Sequence, residues 1–196
     1  MDGTIIDAGN RLYALFAELA PDSRLSFDEY WNLKRNKIDH KAILFDRCSN
    51  ADFQAFEQKW LSEIESPRML AHDRLYDGAL QLLENLSKCN EIFAITARQS
   101  RKLLSEELKK LGIYGFFKDI LITEHKCSKE ALLKRLAPFS HDDFMVGDTG
   151  QDILAGKAFG LKTVAVVYGF LSKAILLKYA PDFLVDDLPD LGGIFK

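Results

Sequence analysis

The segment Phe144-Met145-Val146-Gly147-Asp148-Thr149-Gly150-Gln151-Asp152 is apolar for three residues, breaks at a glycine, and then carries two aspartates four positions apart. Carboxylates placed where a buried strand gives way to a helix suit a hard divalent cation, which takes oxygen ligands in small number, and the same placement also suits a helix cap. A second acidic segment is Met1-Asp2-Gly3-Thr4-Ile5-Ile6-Asp7, where Asp2 precedes a glycine turn. Glu91-Ile92-Phe93-Ala94-Ile95-Thr96 is an apolar run ending in a hydroxyl, followed by Ala97 and Arg98. A hydroxyl and a backbone N–H at a strand end offer donors to phosphate oxygens without adding charge, although a threonine also simply finishes strands. Arg98 is placed to grip an anion with two parallel hydrogen bonds or to stand in solvent. Ser128-Lys129-Glu130-Ala131-Leu132-Leu133 sets a lysine at the head of an amphipathic segment; Lys126 lies close enough to compete for the same role, with a surface lysine as the plain alternative for either.

These residues need a scaffold that brings distant strand ends together. From Tyr76 onward the chain alternates short apolar runs with helical periodicity. Ile92 to Ile95, Asp119 to Ile122, Phe144 to Val146, Thr163 to Val167 and Phe183 to Val185 read as strands, with helices near residues 78–86, 100–111, 128–136, 153–159 and 172–179 between or after them. Strands that are apolar throughout, joined by helices, predict a parallel sheet covered on both faces, with ligands beyond the carboxyl ends of its strands. Thr96 and Asp148 fall at such ends. Residues 9–72 break the rhythm and read as wholly helical: Leu12, Leu15, Phe16 and Leu19 share one face, Ser26 and Glu29 form a capping-box pattern, and Phe53, Phe56, Trp60 and Ile64 share another face. The expected organisation is α/β, a Rossmann-like doubly wound parallel sheet built from residues 1–8 and 73–196, with an inserted all-helical cap at 9–72.

Taken in order, Asp2-Gly3-Thr4, the strand ending at Thr96, the lysine near 129 and Gly147-Asp148-x-x-x-Asp152 resemble the four motifs of the haloacid dehalogenase-like hydrolases, in particular phosphoglycolate phosphatase-like members with a helical cap. The resemblance implies a magnesium-dependent phosphatase acting on a small phosphomonoester through an aspartyl-phosphate. Asp2 would be the acid/base, protonating the leaving alkoxide and later deprotonating water, and its backbone carbonyl would bind the metal; capping or turn-making is its bland alternative. Haloacid dehalogenases proper lack an acid at this place, so Asp2 favours phosphate chemistry. Thr4, Thr96, Ala97 and Arg98 would contact substrate, Lys129 would neutralise the nucleophile and the transferring phosphoryl group, and Asp148 with Asp152 would hold magnesium. The nucleophilic aspartate of the motif would stand directly ahead of Met1, at the end of a central strand. The chain as written is therefore expected to be inactive, with either an unfilled central position in the sheet or a substitute strand beside Ile92 to Ile95 and Phe144 to Val146. A non-catalytic descendant binding a phosphorylated ligand or a protein partner is the alternative, and a mutase shares the same motifs.

The 196 residues suffice for one core with a modest insertion, and 47% hydrophobic with 28% charged residues is an ordinary globular composition. A net charge of -3 argues against a nucleic-acid partner. No apolar run approaches the roughly 18 residues of a membrane span. The expected setting is cytoplasmic, the expected partner a small phosphorylated metabolite, and the expected state a monomer or homodimer. Cys48, Cys89 and Cys127 are widely spaced and odd in number, which fits reduced thiols. His40, His72, His125 and His141 show no ligand spacing and read as surface or structural. Lys34, Arg35, Lys37, His40 and Lys41 read as a solvated basic face, with contact to an anionic substrate tail as the alternative.

Overall fold

The computed structural model describes residues 1–45 and 49–195, so Cys48 lies outside the described residues. The chain divides into two compact units, one made of Met1–Asp7 with Arg74–Lys196 and the other of Ala8–Asp73.

The second unit contains α1 (Gly9–Leu19), α2 (Phe27–Arg35), α3 (His40–Leu44), α4 (Asn50–Glu63) and α5 (Pro67–Leu70). Each start after the first has a local cause. Ser26 and Glu29 close a reciprocal capping box at α2, Asp39 caps α3, Ser49 with Asp52 caps α4, and Ser66 caps α5. Phe16, Tyr30, Leu44 and Phe56 form the buried centre. Arg11 on α1 meets Asp73, the unit's last residue, in a fully buried ion pair at 3.2 Å, which ties the two ends of the unit together. The basic stretch is not one solvated face. His40 sits among aromatic rings, 4.3 Å from Trp60, 5.2 Å from Phe56 and 5.7 Å from Phe16 between centroids. Its Nε2 is 3.0 Å from the Tyr30 hydroxyl. Burial, with the nearby charge of Lys34 adding, pulls His40 down to about 3. Lys34 is half-buried and is lowered by the same desolvation.

In the first unit, β1 (Ile6–Asp7) and β2 (Arg74–Leu75) pair antiparallel, with an ion pair of 3.0 Å between Arg74 and Asp7. Then come α6 (Ala79–Leu86), β3 (Ile92–Thr96), α7 (Arg101–Lys110), β4 (Phe117–Ile122), α8 (Lys129–Leu133), β5 (Phe144–Gly147), α9 (Gly150–Ala158), β6 (Lys162–Val166), α10 (Lys173–Leu176), β7 (Phe183–Val185) and α11 (Leu188–Leu191). The fold is α/β, as the alternation predicts. β4 begins two residues earlier than the apolar run suggests, because Phe117 pairs with Ile92 across a register shift. α8 is shorter than expected, ending at Leu133 well before Pro138.

The parallel sheet is not continuous. β3 pairs only with β4, and β5, β6 and β7 form a separate three-stranded piece with β6 in the middle. Among the described residues no strand lies between β3 and β5. A cleft of about 640 Å³ is lined by Ile92, Phe93 and Ile95 of β3, by Phe144 and Val146 of β5, and by Ile5. The expectation of an unfilled central position thus matches the arrangement. The core packs around the strands even so: Ala94, Ile120, Val164 and Val166 are buried together with Leu104 and Leu108 of α7. Among the described residues no helix is long and apolar enough to cross a membrane. Cys89 and Cys127 are free thiols at the surface.

His40 supplies a pH test. Its folded value lies below its unfolded value of 6.5, so its contribution is fully present above that value and is lost as pH falls toward the folded one. The melting temperature is expected to drop as pH is lowered from about 6.5 to 5, and His40→Phe, which keeps an aromatic ring in the cluster, should flatten that drop. Calorimetry across this interval checks it. An equal slope in both proteins would show that His40 does not titrate on unfolding.

Candidate active site

The carboxyl ends of β3 and β5 and the turn after Met1 supply the chemically loaded residues, all within the first unit. Gly3 adopts a φ of +73°, a left-handed conformation that costs glycine nothing. The turn it makes is closed by hydrogen bonds from the N–H groups of Thr4, Ile5 and Ile6 to the Met1 carbonyl, at 3.2, 2.9 and 3.1 Å. That curl points the buried Thr4 hydroxyl at Asp148, to which it donates at 3.1 Å. The Phe170 N–H donates to the other Asp148 oxygen at 2.9 Å. Asp148 is almost completely buried at 2% exposure, and burial, reinforced by the charge of Asp152, pushes its carboxyl up to about 6.

Asp152 is likewise buried, yet its balance tips the other way. Burial acts to raise it, but the Lys129 charge and hydrogen bond and the Thr149 hydroxyl pull it below the usual carboxylate range. The Lys129 ammonium lies 2.5 Å from Oδ1, while the Thr149 N–H and hydroxyl donate to Oδ2 at 3.1 and 2.6 Å. Asp152 therefore caps α9 and holds Lys129. Both Asp152 oxygens accept from protein donors, as both Asp148 oxygens do. Of the two lysines, Lys126 is 77% exposed and pairs with Glu124, whereas Lys129 is 12% exposed and pairs with Asp152.

Thr4, expected to touch substrate, gives its hydroxyl to Asp148 and accepts the Tyr168 hydroxyl on its carbonyl at 2.9 Å. Arg98 is only 4% exposed: it binds both oxygens of Asp2, at 2.8 and 2.9 Å, and reaches buried Glu107 of α7 at 3.0 Å. The reason is electrostatic, because a buried guanidinium needs carboxylates on its donors, and two are within reach. Asp2 in consequence faces Arg98. Thr96 is buried at the end of β3, its carbonyl accepting from Thr123, and Ala97 is exposed just beyond.

Sequence reasoning passed over Glu107, Tyr168, Gly169 and Phe170. Glu107 had a signal, an acid on the same helical face as Leu104, Leu108 and Leu111. The Tyr168-Gly169-Phe170 segment follows β6, where parallel strands gather their functional loops, but nothing in its composition marked it.

Comparison with known proteins bears on this geometry. The model for haloacid dehalogenase-like hydrolases matches residues 1–166. The pyrophosphatase PpaX of Bacillus cereus is 32% identical over 205 residues, covering 97% of this chain and 91% of the relative. That of Bacillus pumilus is 27% identical over 208 residues, covering 99% and 93%. Among solved structures, a haloacid dehalogenase-like hydrolase of Streptococcus pneumoniae superposes with a TM-score of 0.81 at 20% identity, covering 100% of this chain and 95% of that one. The hydrolase YfnB of Bacillus subtilis, described as bound to magnesium, gives a TM-score of 0.66 at 20% identity, covering 100% and 95%. At those identities the two structures speak for the fold alone. A family match across most of the length, joined to an aspartate-rich site at parallel strand ends, places this chain among the haloacid dehalogenase-like hydrolases.

Proposed function

We propose that the protein is a magnesium-dependent phosphatase for a small phosphorylated metabolite. The observation that carries this reading is the buried Asp148, fixed by Thr4 and Phe170 beside the Lys129–Asp152 pair. Asp148 and Asp152 lie buried side by side, and their oxygen donors suit a hard cation. Among the described residues no group of three or more acidic, histidine or cysteine ligands converges. Magnesium fits that donor set, because it keeps several waters and needs only one or two carboxylates besides substrate oxygens, whereas a structural zinc needs a full protein cage. Asp148 would hold it, with the Asp2 carbonyl as the family resemblance implies. When bound, the ion screens the phosphate charge and polarises the phosphoryl group.

As the family resemblance implies, a carboxylate two residues before Asp2 would attack phosphorus while the ester bond to the leaving group breaks, and Asp2 would give the departing oxygen its proton. Asp2 then takes a proton from the water that displaces the carboxylate and releases phosphate. Thr96 and the Ala97 N–H hold phosphate oxygens, and Lys129, steered by Asp152, balances the charge of the transferring group. In this reading residues 1–196 depend on that carboxylate for turnover. The relatives named pyrophosphatase put inorganic pyrophosphate among the substrates to assay beside small phosphomonoesters. A cytoplasmic setting and a monomer or homodimer belong to the same reading.

Hydrolysis of a generic aryl phosphate and of pyrophosphate, with and without magnesium, tests it. A protein lengthened by an apolar strand ending in aspartate two residues ahead of Asp2 should turn over with magnesium, and residues 1–196 alone should not. In the lengthened protein Asp2→Asn should slow turnover by roughly 10²- to 10⁴-fold while leaving metal affinity largely intact. Asp148→Ala should weaken magnesium binding first. Equal, metal-dependent turnover by both lengths would overturn the assignment.

The two lysines give a sharper contrast. Lys129→Ala in the lengthened protein is expected to lower kcat by about 10²- to 10³-fold, the usual loss of one charge-stabilising group. Lys126→Ala should change kcat less than twofold on the order of a surface substitution. Comparable losses from both would remove the special standing of Lys129.

A further inference from the structure

Resting on the metal reading above, we infer that Tyr168, with the segment Tyr168-Gly169-Phe170 after β6, is a positioning element for Asp148: it holds the first turn and the metal-binding carboxylate in one register. Three observations meet here. The Tyr168 hydroxyl donates to the Thr4 carbonyl at 2.9 Å, and the same threonine's hydroxyl donates to Asp148 Oδ1 at 3.1 Å. Two residues on, the Phe170 N–H donates to Asp148 Oδ2 at 2.9 Å. Between them, Gly169 lets backbone meet backbone, since a Cβ there would stand 2.2 Å from the Gly3 carbonyl oxygen and 2.4 Å from the Asp148 Cβ. Each carboxylate oxygen thus has a donor fixed by this segment, one directly and one through Thr4.

Tyr168 is itself braced. Its ring packs edge-on against Tyr76 at 4.8 Å and 69°, and the Tyr76 N–H donates to the Ile5 carbonyl at 3.0 Å. Two tyrosines therefore hold consecutive carbonyls of the first turn, Thr4 by side chain and Ile5 by backbone. Losing a group that orients a metal ligand costs roughly 10- to 100-fold in affinity, because a carboxylate left free to turn must be ordered when the ion arrives. This gives Tyr168 an effect on affinity without contact with the ion.

The test uses manganese as the probe ion and the chain 1–196 itself, with binding read from water-proton relaxation, which detects millimolar affinities. Asp148→Ala identifies the site by abolishing the signal. Tyr168→Phe, which removes only the hydroxyl, should weaken manganese affinity roughly tenfold, at the low end of the range for groups behind a ligand. Gly169→Ala should weaken it at least as much. Ile113→Val, in the core cluster, should lower the melting temperature while leaving affinity unchanged, which separates positioning from general loss of stability. Unchanged affinity in Tyr168→Phe and Gly169→Ala overturns this inference and leaves the metal reading standing. A fall in Ile113→Val equal to that in Tyr168→Phe likewise overturns it. No binding by the unaltered chain overturns the metal reading and the role of Tyr168 together.

Discussion

The carboxylate of Asp148 stands at the junction of three segments that are far apart in sequence: the first turn, the end of β5 and the loop after β6. Its two oxygens take hydrogen bonds from Thr4 and Phe170, and its burial raises the cost of its charge. A buried carboxylate satisfied in this way converts packing into alignment, since any shift of one segment leaves a charged oxygen without its donor. The adjoining Asp152 solves the same problem by pairing with Lys129 and by capping α9. Neighbouring acids in one pocket are thus shifted in opposite directions, Asp148 up by burial and Asp152 down by Lys129 and Thr149.

A second buried network runs beside it, with Arg98 between Asp2 and Glu107. Such clusters contribute little net stability, because desolvation offsets most of the attraction, but removal of one member leaves a buried charge uncompensated. What they provide is direction. Asp2 lies on a short turn that carries few contacts of its own, and a guanidinium anchored to α7 sets where its carboxylate points.

Much of this was legible from residue type and spacing. The alternation after Tyr76 predicted an α/β unit, Ser26 with Glu29 predicted a capping box, and the Gly147-Asp148-x-x-x-Asp152 pattern pointed at the site. What could not be read were side-chain partnerships across long separations. Arg98 looked like an anion-binding or solvated arginine because its carboxylates are 96 residues away at Asp2 and on another helix at Glu107. The bond from Thr4 to Asp148 spans 144 residues and leaves no local sign in the sequence. His40 looked like part of a basic surface because its aromatic neighbours come from α1, α2 and α4. Local pattern reports which face of an element is apolar; it carries no information about which polar group folds back onto which.

The split of the parallel sheet has a consequence for what joins its pieces. β3 and β5 each border the cleft with no strand alongside among the described residues. Within residues 1–196 the pair β3–β4 and the triplet β5–β6–β7 are therefore held to one another by side chains in a shared buried core, Ala94 and Ile120 with Val164, Val166 and Val185, rather than by a continuous main-chain ladder.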